Sequence, residues 1–88
     1  MKPIRWSVHA RGKATKREAD QVEVEQAIIR PDSVIQGQPP RSIFMRRYFD
    51  KVLKMELLLR VVVEETETEL IVVTLYKTSK FRKYEGSA

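Results

Sequence analysis

The sequence predicts an α+β fold in which two N-terminal helices pack on one face of a three- to four-stranded antiparallel sheet. Three observations predict it. The chain has 88 residues and 42% hydrophobic content, which suits one domain around one core. Before Pro31 the apolar residues recur at helical spacing. From Ile43 onward they alternate with polar ones, as a half-buried strand requires.

The elements follow in order. Ser7 has the side chain of an N-cap, and a first helix is expected from Val8 to about Ala19. Its alanines (Ala10, Ala14, Ala19) allow close packing, while Gly12 costs about 1 kcal/mol relative to Ala. Asp20 and Glu23 have the spacing of a capping box for a second helix, Gln21 to Arg30, whose apolar stripe is Val24, Ala27 and Ile28. Pro31 ends it, because the residue before a proline avoids helical angles. Ser33 to Gln36 reads as a short strand, and Gly37 to Pro40 as a loop.

Ile43 to Phe49 reads as the next strand. Leu53 to Val63 is plainer: Leu53, Met55, Leu57, Leu59, Val61 and Val63 are all apolar, with Lys54, Glu56 and Arg60 between them. Leu70 to Tyr76 is β-branched, and the Glu/Thr-rich segment before it turns the chain, which predicts a central hairpin from Leu53 to Tyr76. If Ile71, Val73 and Leu75 share the buried face, then Leu58, Arg60, Val62, Val72, Thr74 and Tyr76 share the other. Arg60 then lies beside Thr74 or diagonal to Tyr76, an arrangement that a one-residue slip destroys.

Seventeen Lys and Arg against twelve Asp and Glu give a net charge of +5, unevenly spread. Lys2, Arg5, Arg11, Lys13, Lys16 and Arg17 all precede the first acid, Glu18. Lys77, Lys80, Arg82 and Lys83 form a second basic run, and Glu64, Glu65, Glu67 and Glu69 gather most of the acid. Segregated positive charge suits RNA or DNA, and equally suits a solvated basic surface. The absence of cysteine excludes disulfides and thiolate zinc sites. The longest apolar segment, Leu57 to Val63, is far short of a membrane span and is interrupted by Arg60. The start lacks the apolar core of a signal peptide, so a cytoplasmic location is expected.

Three residues are candidates for catalysis. His9, the lone histidine, could move protons near neutral pH, or could simply help order the start of the helix. Arg60 interrupts an apolar strand, where it could grip a phosphate bidentately, or pair with Glu56, Glu69 or a carbonyl. Tyr76 adjoins the basic run Lys77, Lys80, Arg82 and Lys83, interleaved with Phe81 and Tyr84. That mixture can hold a nucleic-acid backbone while rings stack on bases, or can anchor a turn on the core. Arg46, Arg47 and Tyr48 carry a similar signal, and Arg11 belongs to the first basic cluster. One histidine without carboxylates at matching spacing makes no metal site. No phosphate-binding glycine loop, Ser-His-Asp set or paired-carboxylate site is present, and no cofactor is expected.

Residues Trp6-Ser7-Val8-His9-Ala10-Arg11, Val24 to Asp32, Leu58 to Val63 and Val72-Val73-Thr74-Leu75-Tyr76 resemble a known pattern. It is that of the bacterial and archaeal domain-of-unknown-function family four-two-five-eight, which opens on Ser-x-His-Ala, has a helix ending in x-Pro-Asp and closes on a Val-Val-Thr-x-Tyr strand. The resemblance spans residues 4 to 84. It implies a fold similar to the RelE and BrnT toxins, compact α+β ribonucleases made beside an antitoxin, although fold alone does not dictate function. Those toxins' catalytic clusters have no residue-by-residue counterpart here.

The implied protein is a toxin-like partner of a toxin–antitoxin pair, a metal-independent endoribonuclease using the 2′-hydroxyl as nucleophile. A non-catalytic RNA- or DNA-binding module and an interaction protein docking an acidic partner are the alternatives. The docking alternative predicts an exposed apolar patch or an unpaired strand edge beside the basic face. Expected partners are an antitoxin protein, RNA and a second copy of the chain, with no membrane. The whole chain, 1–88, is expected to be one domain with a core over about 4–84 and a flexible tail at 85–88.

Overall fold

A computed structural model describes residues 2–17 and 20–82, the side chain of Arg17 excepted. Ala19, Lys83, Tyr84 and the expected tail lie outside the described residues. The elements are β1 (Ile4–Trp6), α1 (Val8–Arg17), α2 (Gln21–Ile29), β2 (Ser33–Gln36), β3 (Arg41–Asp50), β4 (Met55–Glu65) and β5 (Leu70–Thr78). The strands form one five-stranded sheet in the order β1-β5-β4-β3-β2. The α+β class holds, but the sheet is mixed and larger than the three- to four-stranded antiparallel one expected. The difference is β1, which pairs in parallel with β5 through Ile4↔Leu70 and Trp6↔Val72. Three residues are too few to show a period of two.

The helix starts follow from local chemistry. The Ser7 Oγ accepts the N–H of Ala10, and the Asp20 carboxylate accepts the N–H of Val22. The Ser7 hydroxyl also donates to the carbonyl of Val73. Val73 is the extra residue of a β-bulge, because β4 and β5 pair Val62↔Thr74 and then Val63↔Val72. One hydroxyl therefore ties the start of α1 to the irregularity in β5. Beyond Val72, β1 no longer borders β5, and α1 packs there instead.

The bulge decides which residues share a face. Leu59, Val61, Val63, Leu70, Val72 and Leu75 pack together under Ala10, Val24, Ala27 and Ile28 of the helices, with Trp6, Phe44 and Tyr48 at the margin. The expected set Ile71, Val73 and Leu75 is therefore corrected: Val72 joins the covered face, since one extra residue reverses the alternation. Thr74 and Tyr76 lie on the opposite face with Arg60 and Val62, as the alternation predicted, and Met45 and Leu58 on that second face are fully buried.

β4 also begins later than expected. Leu53 is in the turn, and Leu53 and Met55 are exposed rather than in the core. The apolar alternation runs on through Met55 into the turn, and Met55 and Leu53 stand 42% and 53% exposed.

Candidate nucleic-acid interface

The second face is built on the three central strands. Arg60 of β4 stands directly opposite Tyr76 of β5 and Met45 of β3. It is buried, with 8% of its surface exposed, and its Nη1 donates to the Tyr76 hydroxyl. The guanidinium carbon lies 5.2 Å from the centre of the Tyr76 ring, and the ammonium of Lys13 approaches the same ring at 5.8 Å. A ring quadrupole attracts cations in this range. Further along the same face, Arg47 stacks on Phe81 at 4.3 Å and pairs with Glu56 at 3.0 Å. The second face thus carries three cation–ring contacts, two of them on one tyrosine.

Helix α1 divides its polar residues between two flanks. Ala10 and Ala14 face the core. On one flank, Arg11 and Thr15 line a cleft of about 330 Å³ with Trp6, Ala14 and Gln21. On the other, Lys13 reaches Tyr76. His9, four residues before Lys13, belongs to that flank by helical spacing. Its side chain is exposed. The structure therefore joins Arg60 to Tyr76, lays Lys13 over them and leaves His9 at the rim.

The predicted basic residues separate in the same way. Arg47 is on the second face, and Lys80 and Arg82 are exposed just after β5. Arg11 is on the cleft side of α1, away from Tyr76. Lys77 is not available to a nucleic acid. It pairs with Leu59 on the covered face, and its Nζ lies 2.9 Å from the buried Asp50 carboxylate, with the lysine side chain itself mostly covered. Much of the remaining charge is also paired. Lys2 meets Glu65 at 2.6 Å, Arg5 meets Glu69 at 3.0 Å and Arg41 meets Glu64 at 3.4 Å. These pairs bring part of the N-terminal basic cluster onto the acidic one and shrink the charge segregation visible in the sequence.

Asp50 is the polar centre that the sequence reading missed. Its carboxylate accepts the N–H groups of Val52 and Leu53, the Tyr48 hydroxyl and the Lys77 ammonium. The Leu53 N–H, then Lys77, hold its pKa down to about 2 against the opposing effect of burial. Burial first, then Asp50, pushes the Tyr48 hydroxyl well above the usual phenol range. An aspartate closing a strand before a turn was the available signal, since such a side chain caps backbone N–H groups.

Among the described residues, no group of three or more His, Cys, Asp or Glu could hold a metal ion, and no helix is long and apolar enough to cross a membrane. Fold and site define a small basic α+β domain whose sheet has one face under helices and one carrying arginine, lysine and aromatic rings. Compared with family models, curated proteins and solved structures, the chain matches none.

Proposed function

We propose that this chain is a toxin-like RNA-acting protein and that the second face, centred on Arg60 and Tyr76, is its phosphate site. The observation that carries the reading is the buried Arg60 bonded to the Tyr76 hydroxyl beneath Lys13. An arginine in a partly apolar setting holds a phosphate more strongly than one in open water. The resemblance of residues 4 to 84 to family four-two-five-eight, itself thought similar to the RelE and BrnT toxins, points the same way, as does the basic and aromatic character of the face.

In this reading the 2′-hydroxyl attacks the adjacent phosphorus and the bond from phosphorus to the 5′-oxygen breaks. The products are a 2′,3′-cyclic phosphate and a free 5′-hydroxyl. Arg60 and Lys13 stabilise the charge gathering on the phosphoryl oxygens. Tyr76, which accepts from Arg60, gives its hydroxyl proton to the leaving oxygen in this reading. His9, at the rim of the same flank, takes the proton of the nucleophile. Arg47, Lys80 and Arg82 hold the flanking backbone, and an acidic antitoxin would neutralise the face by covering it.

The test is cleavage of single-stranded RNA in the presence of a chelator. Wild type should cleave, while Arg60→Lys and Tyr76→Phe should each lose about 10²- to 10³-fold, the scale of removing one charge-stabilising donor. Full activity in either variant ends the catalytic reading. Salt-sensitive RNA binding without cleavage would leave the binding module, a reading favoured by the exposed position of His9 away from the buried pair.

A further inference from the structure

The β3–β4 turn combines features that neither the core nor the phosphate site uses. Phe49, Val52, Leu53 and Met55 are all within seven residues of one another, and all are large apolar side chains between 42% and 68% exposed. Every residue from Lys51 to Glu56 is exposed, so the turn projects from the sheet. Lys51 and Lys54 stand among the apolar residues. The tip is also held in shape. The buried Asp50 carboxylate fixes the Val52 and Leu53 N–H groups, and the chain closes through a left-handed Lys54 at a φ of 54°. Exposed apolar side chains on a pre-organised turn signal an interaction surface rather than loose packing.

We propose that this hairpin tip docks on an anionic phospholipid bilayer surface. Phe49, Lys51 and Val52 border a cleft of about 220 Å³ with Asp20 and Glu23, while Leu53, Lys54 and Met55 lie outside its lining, and the two lysines set among exposed apolar side chains match an anionic interface that side chains can enter. Phe49, Val52, Leu53 and Met55 would enter the boundary between headgroups and acyl chains, while Lys51 and Lys54 meet the lipid phosphates. Two copies meeting tip to tip would instead bring these lysines together. Such docking lies in the interface and spans nothing, so it is compatible with the absence of a spanning helix among the described residues. It does not rest on the RNA reading, because Arg60 and Tyr76 lie in mid-sheet.

The test is sedimentation of the full chain with vesicles of phosphatidylcholine, alone or with phosphatidylserine at about a third of the lipid. The chain should pellet with the acidic vesicles and stay in solution with the neutral ones. Val52→Ser with Leu53→Ser should lower partition by about tenfold or more, and Lys51→Gln with Lys54→Gln by a similar factor. All four positions are exposed, so circular dichroism should be unchanged. Arg60→Lys should partition like wild type, which separates this proposal from the phosphate site. Three outcomes overturn it: no binding to acidic vesicles, undiminished binding by the Val52/Leu53 variant, or a wild-type dimer in solution that this variant converts to monomer.

Discussion

Two cations, the half-buried Lys77 and the buried Arg60, stand on opposite faces of the sheet in different surroundings. On the covered face, Lys77 ends on a carboxylate that also holds two backbone N–H groups and a tyrosine hydroxyl. The cluster closes on itself and on the turn that it caps. On the second face, Arg60 ends on a phenol hydroxyl, and neighbouring cations lie on aromatic rings. Contacts of that kind hold a cation in position through a ring and a hydroxyl. The comparison teaches that burial alone does not mark function. What the buried charge touches separates a structural lysine from a candidate phosphate-binding arginine.

The sharpest way to break the comparison is to remove the central oxygen on each side. Asp50→Ala should cost about 3 to 5 kcal/mol in a denaturation experiment, because it leaves an ammonium buried without its counter-ion. Tyr76→Phe should cost less, about 1 to 3 kcal/mol, by taking a neutral acceptor from the buried Arg60, while falling steeply in the RNA assay. Equal stability losses would erase the distinction between the faces.

Acid titration sharpens it further. The Asp50 pKa is depressed from 3.8 to about 2, so the stabilisation is complete above about pH 4 and is lost as pH falls through about 2. The loss should reach about 2 kcal/mol, read as a shift in denaturation midpoint that Asp50→Asn does not show. Next in size is Ser7→Ala, which should cost about 1 kcal/mol by removing both the helix cap and the bond to the bulge carbonyl. The smallest effect belongs to the rim. Arg41→Ala should change stability by less than about 0.5 kcal/mol, since its pair with Glu64 is largely solvated.

Sequence alternation carried much of this picture. It placed Arg60, Thr74 and Tyr76 on one face, and the cap residues Ser7 and Asp20 announced both helices. It failed where backbone geometry, rather than side-chain type, decides. The bulge at Val73 turned Val72 inward, and the alternation could not show that β4 begins only at Met55. Lys77 is a different failure. Alternation with Leu75 already put it on the covered face, yet its place in a basic run suggested the surface. The Asp50 cluster was illegible because its members, Tyr48, Asp50, Val52, Leu53 and Lys77, meet only once β3, the turn and β5 are in register.

Strand β1 has a consequence for the order of assembly. Its partner lies in β5, and the bonds linking Lys2, Arg5 and Ser7 to that region span 63 to 66 residues of sequence. The first strand made therefore cannot be seated until nearly all the described chain is available. Both helices and the β3–β4 hairpin can form from local contacts, while docking of the chain's start must wait and must close the longest loop in the molecule. During synthesis β1 therefore emerges well before its partner β5 and cannot pair with it until β5 has followed.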